Sequence, residues 1–187
     1  MDFCNKIPLF WPLRAKALAF GLLLAAPYGC FGQDIRWESA GARFGFSPTG
    51  AGRDFHQAEV FANLDLPWDW DLGSKWRLQS RLDLSAGWLG ESSVNAGIFT
   101  LGPSLLVGRR AFPLSLDCGV SPTVLTRSDF PNKDFGLLFQ FTSHGGINWD
   151  ISSHFRLSYR FQHMSNADLS RHNPGLNLNM FGLSYLF

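Results

Sequence analysis

Beyond its first thirty residues the sequence has no apolar run approaching eighteen positions, so no helix of the mature chain is long and apolar enough to cross a bilayer. Cysteine is scarce. Cys4, Cys30 and Cys118 are the whole supply, and with only Cys118 beyond residue 32 no disulfide can staple the remainder, although an exported protein could keep one. An excess of either charge is also missing. Removing Lys6, Arg14, Lys16 and Asp2 with the N-terminal segment leaves 13 basic against 14 acidic residues, which excludes a basic footprint for nucleic acid. The five histidines have no metal-ligand spacing and no H-E-x-x-H pattern, so no metal is expected. Gly41 to Gly52 is glycine-rich but carries no phosphate-loop pattern, and no cofactor is expected. Helical periodicity is absent from the rest of the chain.

What is present begins with an address. A positive front (Lys6, Arg14, Lys16) precedes the apolar ten-residue segment Ala17 to Ala26, and Pro27 and Gly29 then break the run. That pattern predicts a signal peptide over 1–32, cleaved near Gly32, and one domain over 33–187. A lipoprotein reading through Cys30 is disfavoured by the Pro27-Tyr28-Gly29 lead-in.

The domain alternates. Trp76, Leu78, Leu82, Leu84 and Trp88 share one parity, against Lys75, Arg77, Gln79, Arg81 and Asp83. Phe155, Leu157, Tyr159 and Phe161 do the same against Arg156, Ser158, Arg160 and Gln162, and Phe181, Leu183, Tyr185 and Phe187 repeat the pattern. Period-two alternation in segments of about ten residues, separated by turn clusters, specifies strands. The predicted strands are 35–46, 55–67, 75–88, 93–108, 112–122, 135–148, 154–165 and 175–187. Glycine and proline in 35–46, 93–108 and 112–122 predict bulges or kinks.

A soluble sandwich also alternates. An exported chain with membrane-length strands and a terminal aromatic residue, Phe187, points instead to an all-β, eight-stranded antiparallel transmembrane barrel of the outer membrane. Such a barrel is too small for a porin channel, and its lumen is filled by side chains. Arg36, Arg43, Arg77, Arg81, Arg156, Arg160, Glu38, Glu59 and Asp83 are expected to supply a lumenal charge network. An even strand number leaves both termini in the periplasm and places the connections at 47–54, 89–92, 123–134 and 166–174 outside the cell. The connections at 68–74, 109–111 and 149–153 are then periplasmic turns, with Asp65, Asp69, Asp71, Trp68 and Trp70 as turn and girdle residues. A homodimer is compatible with this plan.

One segment departs from its own pattern. After Phe161, the next positions of lipid-facing parity are His163 and Ser165, and on the last strand Asn177 and Asn179 share the parity of Phe181. A register that places 163 opposite 177 also places 161 opposite 179 and 155 opposite 185. Polar groups on a lipid-facing surface cost free energy and so mark function, although an interfacial girdle also tolerates them. Residues two apart on a strand lie about 6.6 Å apart on one face. From there an imidazole can reach a neighbouring hydroxyl as its general base, while a group at 177 holds the other ring nitrogen.

His163-Met164-Ser165-Asn166-Ala167, followed by Asn173-Pro174-Gly175, resembles the C-terminal signature of the PagL-type lipid A 3-O-deacylases, also described as acyloxyacyl hydrolases. The motif spans about fifteen residues at the hairpin before the last strand. The resemblance implies an eight-stranded barrel with its active site on the lipid-facing exterior, hydrolysing an ester-linked acyl chain of lipopolysaccharide. It also implies Ser165 as nucleophile, His163 as base and Asn166 as an oxyanion-stabilising group. Two positions depart from the family pattern: Asn177 stands where a glutamate completes the triad, and Asp168 where glycine is usual. The expected activity is therefore an outer-membrane serine esterase acting on lipid A. A non-enzymatic adhesion or membrane-stabilising barrel, and an inactive lipopolysaccharide-binding homologue, are the alternatives.

Overall fold

The computed structural model describes residues 35–48 and 54–187, so the expected signal peptide over 1–32 lies outside the described residues. The chain forms β1 (Arg36–Phe46), β2 (Phe55–Asp71), β3 (Trp76–Glu91), β4 (Val94–Arg109) and β5 (Leu114–Leu125). A two-stranded hairpin follows, β6 (Asp129–Phe130) and β7 (Lys133–Asp134), and then β8 (Phe139–Asp150), β9 (Phe155–Ser165) and β10 (Leu176–Leu186). Leaving β6 and β7 aside, neighbouring strands pair antiparallel, and β1 closes on β10 from Ser39–Leu186 to Phe46–Asn179. Closure leaves no sheet edge, which is the condition for backbone polar groups to enter hydrocarbon.

The alternation sorts as expected. Phe155, Leu157, Tyr159, Phe161, Phe181, Leu183 and Tyr185 face outward, whereas Arg156, Arg160 and Gln162 are buried in the lumen. Trp37, Trp68, Trp70, Trp76 and Trp149 are exposed near the end where β1 begins and β10 ends, forming the aromatic girdle of a membrane interface. The opposite end, where β9 ends and β10 begins, is the loop end.

Several boundaries differ from the sequence reading. β2 continues to Asp71 through a register shift between Asp65 and Asp69. Pro67 sits within that shift and cannot donate to a ladder, so the expected turn at 68–74 contracts and its residues lengthen the hairpin. β1 carries the expected bulge, between Trp37 and Ser39. Between β4 and β5 the paired residues stop at Thr100–Thr123 and resume at Ser104–Gly119. Pro103 and Pro122 flank that gap, each without an N–H to contribute. The strand expected at 135–148 begins only at Phe139, because Phe135 turns into the lumen.

The lumen has two layers. In its middle, Arg43 pairs with Glu59 at 2.8 Å, and Arg160 bridges Asp117 and Asp83 at 2.9 and 3.2 Å. Arg81 and Arg156 join this set through Asp117 and Glu38, and His144 Nε2 lies 3.7 Å from both Asp83 and Asp117. Mutual pairing is what permits these charges to be buried. Arg36 and Arg77 were expected in this network and are not in it: both are exposed, and Arg77 pairs with Asp69 at the surface. Towards the loop end the filling turns apolar, with Phe55, Leu89, Ile98, Leu125, Met164 and Leu176 buried around Phe130 and Phe135. The last two come from the β6–β7 hairpin and the residue after it. That segment folds into the barrel mouth, where Phe130 and Phe135 stack edge-on against Phe55 with centroids 5.2 and 5.9 Å away.

Candidate active site

The register of β9 and β10 decides what can meet on the exterior. His163 is paired with Asn177, Phe161 with Asn179 and Phe155 with Tyr185, as parity required. His163 Nδ1 lies 2.7 Å from Asn177 Oδ1. A carboxamide oxygen only accepts, so Nδ1 carries the hydrogen and Nε2 keeps its lone pair. The tautomer is thereby the one a general base needs. Ser165 stands on the same face one pleat nearer the loop end, half-buried. Its hydroxyl is not hydrogen-bonded to His163 here. Catalytic hydrogen bonds of this kind often tighten only when substrate is bound.

The polar patch is wider than the sequence motif. Ser143 on β8 is the partner of His163 on its other side, and its hydroxyl lies 3.5 Å from the His163 carbonyl oxygen. Tyr159 donates its hydroxyl hydrogen to Asn179 Oδ1 at 2.8 Å. Both follow from outward parity on their strands, and Ser143 could have been read from the strand expected at 135–148.

Asn166 is placed differently from expectation. Its side chain is fully buried, and Nδ2 donates to the carbonyls of Phe135 at 2.9 Å and His172 at 2.6 Å. Its backbone N–H donates to Asn173 Oδ1 at 3.0 Å. With all three hydrogens committed, Asn166 holds the 166–175 loop from within and does not present its side chain to the exterior. Beyond it, Ala167 and Asp168 adopt left-handed backbone, with φ of 54° and 64°. That conformation explains why glycine suits position 168 and why aspartate can replace it, since Asp tolerates the left-handed region better than most residues. Asp168 Oδ1 also accepts from Asn173 Nδ2 at 2.8 Å.

Gly175 packs beside the imidazole. Its φ is 62°, and a Cβ added there would lie 2.9 Å from His163 Cε1. Both the backbone and the ring therefore exclude other residues. The remaining histidines serve elsewhere: His144 in the lumen, His56 and His154 in hydrogen bonds beside turns, and His172 in the loop. No cluster of metal-ligating side chains occurs among the described residues.

Similarity to known proteins identifies the family of this barrel. The family model for lipid A 3-O-deacylase (PagL) matches residues 56–186. The lipid A deacylase PagL of Bordetella bronchiseptica is 28% identical over 141 residues, covering 71% of this chain and 78% of that protein. The crystal structure of the outer membrane enzyme PagL superposes with a TM-score of 0.70 at 14% identity, covering 80% of this chain and 99% of that one. With the match running from the start of β2 to the end of β10, this outer-membrane barrel belongs to the PagL family of lipid A 3-O-deacylases.

Proposed function

We propose that the chain is a serine esterase that removes an ester-linked acyl chain from lipid A in the outer leaflet, with Ser165 as nucleophile, His163 as base and Asn177 as the residue that orients it. The observation that carries this reading is the His163–Asn177 hydrogen bond on the lipid-facing wall, where a polar pair has no packing purpose.

Substrate chains lie along the exterior beside Phe161 and Tyr159, and the ester sits at the level of Ser165. The Ser165 hydroxyl oxygen attacks the ester carbonyl as its proton passes to His163 Nε2. The negative charge that forms on the carbonyl oxygen needs a donor from the 166–168 turn. Within that turn Asn166 N is committed to Asn173 Oδ1, and Ala167 is the next residue after Ser165-Asn166, in left-handed backbone. We assign the Ala167 amide to the oxyanion, so Asn166 contributes by holding the turn. Collapse of the intermediate breaks the ester bond, and the sugar oxygen leaves with the proton from His163. Water, deprotonated by the same nitrogen, then attacks the acyl-enzyme, and the bond to Ser165 breaks as that proton returns to the Ser165 oxygen and the fatty acid leaves.

The test is mass spectrometry of lipid A from cells expressing the protein, its Ser165→Ala form or its His163→Ala form. The native protein should produce lipid A lighter by one acyl chain. Each variant should leave it intact while the barrel stays heat-modifiable on gels, because removing one member of such a unit leaves only residual catalysis. Deacylation at the native rate by Ser165→Ala would sink the mechanism.

A further inference from the structure

The β6–β7 hairpin is tied to the loop that carries the site at three places. Asn166 Nδ2 reaches the Phe135 carbonyl, and Gly136 packs so close to His172 and Ser170 that a Cβ there would lie 2.6 Å from the His172 carbonyl oxygen. At the third, Lys133 Nζ donates to the Gly175 carbonyl at 2.5 Å. Gly175 precedes the first ladder pair between β9 and β10, Leu176 with Met164, so no strand hydrogen bond fixes its carbonyl. Lys133 does so instead.

We infer that Lys133 is a positioning residue for the reaction, acting on His163 through Gly175. The ring has two constraints. Asn177 holds Nδ1, and Gly175 sits so close to Cε1, the carbon between the two nitrogens, that a Cβ there would lie 2.9 Å from it. Moving Gly175 changes the space beside the ring and so where Nε2 points, and Nε2 is the atom that must meet Ser165. Lys133 is itself held at a defined height. Glu91, fully buried at the end of β3, accepts from the backbone N–H and side-chain amide of Asn132, both at 3.1 Å. Burial pushes the Lys133 ammonium below the usual lysine range, and the charge on Glu91 opposes that shift. A half-buried cation carries a desolvation cost, and the hydrogen bond to the Gly175 carbonyl offsets part of it.

The inference rests on the proposed triad, and the experiment separates the two. Steady-state deacylation of purified lipid A in detergent micelles is measured for Lys133→Met, Lys133→Arg and Ser165→Ala. Lys133→Met should lower kcat about ten- to a hundredfold with KM unchanged, the scale expected when a reacting group is displaced by about an ångström. Lys133→Arg keeps a cationic donor and should recover most of the rate. A Lys133→Met barrel with native kcat would overturn the inference, as would parallel losses in kcat and heat-modifiability, which mean a structural role only. Gly175→Ala supplies a second arm, because its Cβ would crowd the same ring at 2.9 Å from Cε1: a drop in kcat at constant KM is expected, and native kcat would also overturn the inference. Native activity in Ser165→Ala would instead remove the triad itself, whatever Lys133→Met does.

Discussion

Asn177 is the residue on which the chemistry turns most sharply. Its carboxamide oxygen holds His163 Nδ1 at 2.7 Å, so it fixes the tautomer as a carboxylate would. It cannot stabilise the imidazolium that forms when Ser165 loses its proton, because it carries no charge. In a serine protease an aspartate-to-asparagine change costs about 10⁴ in rate, attributed to the wrong tautomer. Here the amide oxygen already selects the right one, so the deficit should be smaller. Asn177→Glu should therefore raise kcat, because the added charge stabilises the imidazolium that forms as Ser165 loses its proton. Asn177→Leu should lower kcat by roughly 10²-fold, within the range typical of general-base catalysis. Lipid A deacylation across pH 5–9 checks both, and identical profiles for all three proteins would remove residue 177 from the mechanism.

At the scale of elements, the β6–β7 hairpin supports the site from the inside of the barrel while the chemistry faces lipid on the outside. Phe135 is its anchor, 1% exposed and packed between Phe55 and Phe130. Phe135→Ala should destabilise the barrel by about 3–5 kcal/mol, the usual range for deleting a buried ring, measured by urea unfolding in lipid vesicles. A cost under about 1 kcal/mol would mean that the barrel mouth collapses around the loss. The hairpin was illegible in the sequence, because Asp129–Phe130 and Lys133–Asp134 are too short for any period to show. Phe135 and Leu137, by contrast, share the parity of Phe139 and Phe141 and so read as the start of a strand. The structure departs from that reading because the lumen near the loop end needs apolar filling, which the local sequence does not register.

For the molecule as a whole, hydrocarbon outside and paired charge inside impose opposite demands on adjacent residues. Leu101 lies near the middle of β4 and faces outward, 54% exposed. Leu101→Arg should destabilise the barrel by about 2–4 kcal/mol, as arginine does at the midplane of a lipid-facing surface. The same unfolding assay checks this, and a neutral result would place Leu101 in an interface. In the lumen, Asp117→Ala leaves Arg160, Arg81 and His144 short of a partner. It should cost more than the loss of the exposed Arg110–Asp71 pair by Asp71→Ala, since breaking a buried pair strands a charge whereas exposed pairs contribute little.

The sequence by itself determined the number of barrel strands, their inward and outward faces, and the register that sets His163 against Asn177. All three depend on period-two alternation, and a one-residue slip would send every arginine of β9 into lipid. It also marked Ser165, whose parity is a local property. Only the tertiary structure decided what depends on residues far apart in the chain. Ser143 flanks His163 from β8 across twenty positions, and Asn166 turns inward because the Phe135 and His172 carbonyls are there to receive its amide. Arg77 leaves the lumenal network for Asp69 once the β2 bulge has lengthened that hairpin. Lys133 meets Gly175 across forty-two positions. A strand's faces are written in its own residues, whereas a loop's contacts are set by whatever closure of the barrel brings beside it.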